Sequence, residues 1–272
     1  MTRLCSTLMF AALAATGFAH AADGSTTVGI GVDYNSGDYG SEISTDILSV
    51  PLDLRHRRGN WSLRASVPWL HVSGDPNVLP AVGPVPNFNP IGRGRTGLIG
   101  GPPGGGEEAA PESGSASGIG DVTLAAAYSL PTGSALGVDL GANAKIATAD
   151  EDKGLGTGAN DYGVSLDLYR DFDGTVLFGG VGHTWLGSST YIDVDSVQSG
   201  NVGVSQRAGR GRLGVMYDHR TASASGLDDR RDAIAFFSLP NASGGRMQLY
   251  ASRGLSDGSP EWGAGIALST GF

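Results

Sequence analysis

The stretch Glu261-Trp262-Gly263-Ala264-Gly265-Ile266-Ala267-Leu268-Ser269-Thr270-Gly271-Phe272 alternates between two kinds of side chain. Every second residue counted back from Phe272 is apolar or weakly polar, whereas the residues between them are small or polar. A period of two predicts a β-strand. An apolar outer face over a small inner face is typical of the last, lipid-facing strand of an outer-membrane β-barrel. A strand of a soluble β-sandwich is the alternative interpretation.

The N-terminal segment has the pattern of a signal peptide. Arg3 precedes a short apolar run at 8–16, and Ala19-His20-Ala21 gives the small-x-small cleavage pattern. We therefore expect residues 1–21 to be removed on export. The run is too short to cross a membrane as a helix. The single cysteine, Cys5, lies inside this segment, so the exported chain is expected to hold no disulfide.

Composition and charge narrow the class of protein. Glycine accounts for 45 of 272 residues, which fits tightly curved strands around a crowded interior. The formal net charge is −9, and removal of Arg3 with the signal peptide leaves 17 basic and 27 acidic residues. This balance argues against nucleic acid as a partner. We expect one all-β domain over residues 22–272.

Twelve segments have the length and alternation of membrane-crossing strands. They are 26–35, 44–55, 60–72, 119–130, 135–147, 160–171, 174–186, 197–207, 211–221, 231–240, 245–254 and 261–272. An even number of strands is the rule in bacterial outer-membrane barrels. The sequence therefore predicts a transmembrane antiparallel up-and-down barrel of about twelve strands.

Short and long connections alternate between these segments. The short ones are 57–59, 131–134, 171–174, 208–210 and 241–244, and the longest of the others is 73–118. Tight periplasmic turns alternating with longer external loops are characteristic of outer-membrane barrels. Segment 73–118 is rich in glycine and proline, so we expect an external loop there. It either folds over or into the pore or stays mobile in solvent.

The alternation also predicts which side chains face inward. A charge at mid-depth on the lipid face costs ~2–4 kcal/mol, so charged faces should line a polar lumen. The candidates are Arg64, Asp139, Asn143, Lys145, Asp167, Arg212, Asp218, Arg220 and Arg246. Asp139, Asp167 and Asp218 are the expected acidic partners of the basic side chains. Trp61 and Trp69 share the opposite face of one strand, where they suit two aromatic girdles.

The central part of the chain resembles a known family. Ser117-Gly118-Ile119-Gly120-Asp121-Val122, the turn Pro131-Thr132-Gly133 and the glycine-rich stretch 153–161 carry the resemblance, which covers about residues 117–186. They resemble the outer-membrane family named for the MetA pathway of phenol degradation. The resemblance implies a channel or transporter for small, often aromatic or hydrophobic compounds. It implies no established catalytic residues.

These observations predict a channel in the Gram-negative outer membrane for passive uptake of small solutes. The expected partners are outer-membrane lipid, the barrel-assembly machinery and the solute; no cofactor, metal ion or catalytic residue is expected. Two alternatives stay open. His71 and Ser73 match the spacing of the catalytic histidine and serine of outer-membrane phospholipase A, a barrel with the same number of strands. The inward charges could instead hold together a barrel that conducts nothing.

The terminal aromatic residue, Phe272, resembles the C-terminal signal that the barrel-assembly machinery reads, so we expect it to act as an assembly signal. Deletion tests this role. Removing this residue should sharply lower insertion into the outer membrane and leave export intact, because the last strand loses its terminal aromatic group. The measurement is the amount of heat-modifiable barrel in outer-membrane fractions. Unchanged barrel levels would contradict the assigned role.

Overall fold

A computed structural model describes residues 24–89, 92–93 and 113–272. The predicted signal peptide at 1–21 lies outside the described residues. The described strands are β1 (Ser25–Gly37), β2 (Thr45–Arg58), β3 (Trp61–Gly74), β4 (Val78–Leu79), β5 (Gly83–Pro84), β6 (Gly114–Ile119), β7 (Val122–Ser129), β8 (Leu136–Ile146), β9 (Asp161–Phe172), β10 (Thr175–Trp185), β11 (Val197–Ala208), β12 (Gly211–Arg220), β13 (Arg230–Pro240), β14 (Arg246–Gly254) and β15 (Trp262–Gly271).

The large sheet closes on itself. β1 pairs antiparallel with β2 on one side and with β15 on the other, and each remaining wall strand pairs with its neighbours in sequence. Both β6 and β7 pair with β3, so they share one position in the wall. Within the described residues the wall therefore has twelve strand positions. This confirms the predicted antiparallel up-and-down barrel, and the sandwich interpretation is wrong.

The fourth predicted segment, 119–130, is interrupted at Gly120 and Asp121. The Gly120 N–H donates to the carbonyl oxygen of Pro68 at 2.8 Å. The Asp121 carboxylate accepts hydrogen bonds from the N–H groups of Thr148 and Ala149, at 3.1 and 2.9 Å. The chain on the N-terminal side of this break forms β6, and β3 continues to Gly74. The connection predicted at 73–118 therefore spans only 75–113.

The two ends of the barrel differ in their connections. At the turn end, defined by connections 59–60, 130–135, 173–174, 209–210 and 241–245, each connection contains a glycine with positive φ. Asp173 and Gly174 have φ values of 52° and 98°, as a two-residue hairpin of type I′ requires. The loop end, at the opposite rim, carries the longer connections. The predicted alternation of turns and loops is confirmed.

The outer surface of the wall is apolar and bordered by aromatic rings. Trp61 and Trp69 both point outward, 54% and 41% exposed. The rings of Trp61 and Tyr128 lie 4.9 Å apart near the turn end, and those of Tyr34 and Trp262 lie 5.2 Å apart near the loop end. These pairs have the placement of the two aromatic girdles of outer-membrane barrels.

Within residues 24–89, 92–93 and 113–272 there is no helix long and apolar enough to cross a bilayer.

Four aromatic side chains on the inner surface each lie over a glycine of the neighbouring strand. The register places Tyr169 beside Gly137, Phe178 beside Gly203, Phe236 beside Gly214 and Tyr250 beside Gly265. A Cβ atom at any of these glycines would overlap the ring. The glycines thus allow large rings to lie flat against the wall, as in the aromatic rescue of strand glycines. We call the four rings the aromatic belt.

The close fit of ring and glycine predicts a site-specific loss of stability. Gly214→Ala should lower the free energy of unfolding by about 1–3 kcal/mol, because the added methyl displaces the Phe236 ring. Gly200→Ala is the matched control, since the nearest atom to its added Cβ is the Gly180 carbonyl oxygen at 3.8 Å. Urea unfolding of the refolded barrel in vesicles measures both. Equal effects of the two substitutions would refute the packing argument.

Candidate channel interior

The structure places all nine predicted lumen residues on the inward face of the wall. Lys145, Asp218 and Arg220 lie near the loop end, and Asn143 lies one inward position below Lys145. The other five lie nearer the turn end, namely Arg64, Asp139, Asp167, Arg212 and Arg246. The nine do not form one cluster. They lie at two depths of the interior, which we call the loop-end level and the turn-end level. The charges are arranged differently at the two levels.

The loop-end level is built around a buried lysine. Lys145 is 3% exposed, and its Nζ lies 2.9 Å from Asp161 and 3.6 Å from Asp121. It also donates to the Thr157 hydroxyl at 2.8 Å. Two carboxylates and a hydroxyl replace the water that the ammonium group loses on burial. This group joins β8, β9 and the β6–β7 break.

Other charged side chains of the loop end are also paired. Arg230 Nε lies 2.5 Å from Asp232 on the same strand. Buried Asp218 faces the positive charges of Arg230 and Arg220. Arg220 donates to the carbonyl oxygen of Ala81, 3.0 Å away. Positive charge at this level is thus largely balanced within the protein.

The acidic partners differ from those expected. The ion pairs of the candidate basic residues involve Asp53 with Arg64 at 2.5 Å, Asp171 with Arg212 at 3.7 Å, and the two aspartates beside Lys145. The expectation that Asp139 and Asp167 would serve as these partners is wrong. They lie directly opposite each other on β8 and β9. Partner choice depends on the stagger between strands, which alternation within a strand does not reveal.

Two arginines of the turn end were missed by the sequence analysis. Arg55 and Arg57 continue the inward positions of β2 beyond Asp53. Arg55 lies inside the predicted strand 44–55, and Arg57 lies beyond it because β2 extends to Arg58. The sequence analysis placed 57–59 in a turn. The sequence pattern could have revealed them, because every second residue after Asp53 is one of these two arginines. Arg55 lies within electrostatic range of Arg57, Arg64 and Arg246, all of the same sign.

The first part of the long connection enters the mouth of the barrel. β4 and β5 form a small hairpin, and Val78, Leu79 and Val85 are buried. The Ser223 hydroxyl donates to the Pro84 carbonyl oxygen at 3.0 Å, and Asn87 forms a β-bridge with Ile192. For residues 75–89 the mobile, solvated interpretation is therefore wrong. We call residues 75–89 the mouth segment.

Arg93 ties the mouth segment to the loop between β8 and β9. Its guanidinium donates to the carbonyl oxygens of Asp75 at 2.6 Å, Val78 at 2.9 Å and Gly154 at 3.1 Å. Burial lowers the pKa of Arg93 to about 10, and the nearby Asp75 carboxylate opposes this shift. The group stays positively charged at neutral pH. One side chain thus binds three backbone carbonyl groups from two separate loops.

The predicted polar lumen is only part of the interior. Between the loop-end level and the turn end, the inward face of β9 to β14 carries the aromatic belt together with Val176, Met216 and Ile234. The rings of Phe178 and Phe236 have centroids 6.3 Å apart. Each of these strands carries one inward ring, and the glycine beside it lies on the neighbouring strand, so alternation within a strand did not reveal the belt. The interior therefore has an apolar wall as well as polar ones.

His71 does not form the contact that the hydrolase alternative requires. Its Nδ1 lies 2.6 Å from the hydroxyl of Ser117 on β6, on the outward face near the loop end. The hydroxyl group hydrogen-bonded to His71 Nδ1 is therefore that of Ser117, a residue that the hydrolase alternative does not include. In the described ranges 24–89, 92–93 and 113–272, no group of three or more histidine, cysteine, aspartate or glutamate side chains is arranged to hold a metal ion.

The closed wall, the lipid-compatible outer face and the charged interior together define an outer-membrane β-barrel with the architecture of a channel. The chain belongs to the family described as the MetA-pathway of phenol degradation, whose model matches residues 19–217. A search of curated protein sequences finds no match.

Two solved structures show the same fold. An outer membrane channel from Pseudomonas putida F1 is 14% identical over 92% of this chain and 96% of its own, with a TM-score of 0.66. The NanC porin is 9% identical over 90% of this chain and 98% of its own, with a TM-score of 0.51. At these identities the similarity establishes the architecture.

The buried Lys145 group predicts a large and specific loss of stability. Lys145→Met should lower the free energy of unfolding by about 3–5 kcal/mol, because the Asp161 and Asp121 carboxylates lose their buried cation. Adding Asp161→Asn should restore part of the loss. The control is Lys153→Met, which removes an exposed pair with Asp150. Urea unfolding tests the set, and similar losses at both lysines would refute the assignment.

Proposed function

We propose that this protein is an outer-membrane channel that admits small solutes into the periplasm by passive diffusion. The observation that carries the proposal is the interior of the barrel, where charged, hydrogen-bonding and aromatic side chains face inward from most wall strands. Charged and polar side chains that line a passage are the groups that give known pores their selectivity. Family membership and the likeness to a channel of Pseudomonas putida F1 support the same function.

The proposed path runs from the loop end to the turn end. A solute first passes the mouth segment, which Arg93 and Arg220 hold by their hydrogen bonds to backbone carbonyl groups. It then passes the paired charges around Lys145 and reaches the arginines and the aromatic belt near the turn end. Small aromatic or hydrophobic compounds fit this sequence of environments. No chemical step is required of the protein.

The proposed setting is the Gram-negative outer membrane, reached through a cleaved signal peptide and the barrel-assembly machinery. The apolar outer face between the two aromatic girdles supports lipid as the immediate surroundings of the wall. In this proposal the interior charges select among solutes rather than merely stabilise the wall. The proposal is therefore distinct from a non-conducting structural barrel.

The proposal predicts that loosening the mouth segment raises conductance. Arg93→Ala removes the donor to Asp75, Val78 and Gly154, so the mouth segment should leave the barrel more often and the single-channel current should increase by about twofold or more. The matched control is Lys153→Ala, which removes an exposed positive charge from the neighbouring loop. Planar-bilayer recordings of refolded protein in KCl measure all three proteins.

Conductance in the wild type that increases only with Arg93→Ala would support the proposal. If neither the wild type nor Arg93→Ala conducts, while both run as folded heat-modifiable barrels, the channel function is refuted. An equal increase with Lys153→Ala would show that charge at the mouth, rather than the anchoring of the mouth segment, controls the current.

A further inference from the structure

One row of inward residues crosses the wall between the turn end and the loop end. Strand pairing makes each residue of the row the direct neighbour of the next, on β8 to β13. The row consists of Asp139, Asp167, Gly180, Asn201, Asp218 and Asp232. It begins beside Ser129, the last residue of β7, and ends beside Gly254, the last residue of β14. We call it the acceptor row, because its polar side chains are carboxylates and one amide.

The oxygen atoms of the acceptor row lack hydrogen-bond donors. Within the described residues, four buried carboxylate or amide oxygens accept no hydrogen bond, and all four belong to this row. They are Asp139 Oδ1, Asn201 Oδ1, Asp218 Oδ2 and Asp232 Oδ1. A buried acceptor without a donor is costly, and folded proteins contain few of them. Their restriction to one row points to a ligand that brings donors.

The loop-end part of the row is closed to the lumen. Asp232 is fully buried and lies 2.5 Å from Arg230, so its charge is balanced. Asp218 is 1% exposed, and the positive charges of Arg230 and Arg220 act on it. Its Oδ2 nevertheless accepts no hydrogen bond, and Asn201 lies directly opposite it on β11. Asp218 therefore forms the buried end of a site that opens at Asn201.

Asp167 is the open part of the row. Its side chain is partly exposed and faces the lumen, and the Ser165 hydroxyl donates to its Oδ2 at 3.2 Å. Among the described residues, the charged group that acts on Asp167 is Asp139, which has the same sign. Like charges directly opposite each other on neighbouring strands are unfavourable. Arg57 opposes the charge of Asp139, whereas the charge of Asp167 is available to a cation in the lumen.

Gly180 leaves space between Asp167 and Asn201. A Cβ atom at this position would overlap Asp167 Oδ1 and would lie 3.2 Å from the amide nitrogen of Asn201. The two side chains therefore approach each other over the glycine. Asn201 is also partly exposed, and a half-turn of its amide group exchanges the nitrogen with Oδ1. A group bound over Gly180 can thus reach acceptors on both sides.

These features are complementary to a primary ammonium group. Such a group carries a positive charge and three N–H donors, and the row offers negative charge and acceptors without donors. A metal ion needs several oxygens within about 2.0–2.6 Å of one point. The acceptors of the row are instead distributed one to a strand, and neighbouring strands lie about 4.8 Å apart. The row is therefore better suited to an organic ammonium group than to a metal ion.

We propose that Asp167, Asn201 and Asp218 form a binding site for small primary ammonium compounds. The ammonium group binds Asp167 over Gly180 and donates to the acceptors beside it, and Asp139 strengthens the negative potential. The site deepens the proposed channel function and rests on it, because it names a class of solute that the interior binds. Affinity at such a site is moderate, since a solute has to leave again to pass through the barrel.

Two isomeric cations separate the effect of the N–H donors from that of the charge. n-Butylammonium and tetramethylammonium have the same composition and charge, and only the first has N–H donors. Wild-type barrel refolded in detergent at neutral pH is titrated calorimetrically with their chlorides and with uncharged butan-1-ol, and empty micelles are the blank. n-Butylammonium should bind at least about tenfold more tightly than either other compound. Binding no tighter than that of tetramethylammonium or butan-1-ol would overturn the proposal.

Substitutions locate the site. Asp167→Asn removes the open negative charge and should weaken n-butylammonium binding by about tenfold or more. Its control is Asp173→Asn, which makes the same change in the exposed turn after β9 and should leave binding unchanged. Asn201→Ala should weaken n-butylammonium binding and leave tetramethylammonium binding unchanged. Its control is Gln198→Ala, on the outward face of the same strand. Equal losses in a variant and its control would also overturn the proposal.

The outcomes separate the site from the channel function. Preferential n-butylammonium binding by a barrel that carries no current in planar bilayers would retain the site and refute the channel. Current in KCl without preferential n-butylammonium binding would retain the channel and refute the site. The ligand comparison in the wild type needs no substitution, so it remains decisive if a variant does not refold.

Discussion

Closure of the wall between β1 and β15 is the constraint on which the rest of the structure depends. Ten residues of β1, from Thr27 to Ser36, are in register with β15. In hydrocarbon an unpaired backbone group costs several kcal/mol, so a sheet can cross a bilayer only when it has no free edge. Once the sheet is closed, the period of two separates inside from outside on every strand. Charged residues at mid-depth then have to face inward, and Trp61 and Trp69 are left to face lipid.

Closure also limits the space inside the barrel, and glycine residues on the wall leave room there for large side chains. A ring such as Phe236 fits the interior only because its neighbour Gly214 has no side chain. The same arrangement recurs at Gly137, Gly203 and Gly265, so four hairpins place a ring flat against the wall. The high glycine content is thus partly a packing requirement of the belt.

The strands and their faces could be predicted because both depend on local patterns. Alternation and turn glycines such as Gly174 are set by neighbouring residues, and they located all twelve wall positions. The partners of the charges could not be predicted. Lys145 meets Asp161 from the next strand and Asp121 from a break in the wall, and both contacts depend on inter-strand stagger. Arg57 was missed for a different reason, since the sequence Arg57-Arg58-Gly59 was assigned to a turn when β2 extends to Arg58.

The two charged levels of the interior differ in what their charges do. Near the loop end, Lys145 and Arg230 are paired with carboxylates at 2.9 and 2.5 Å, and Arg220 holds the mouth segment. Such pairs stabilise local structure and leave little net field for a solute. Near the turn end, Arg55 lies among other arginines, and the carboxylates of Asp53 and Asp139 oppose the like charge of Arg55 and Arg57. The loop-end level therefore pairs opposite charges locally, whereas the turn-end level spreads them over several strands.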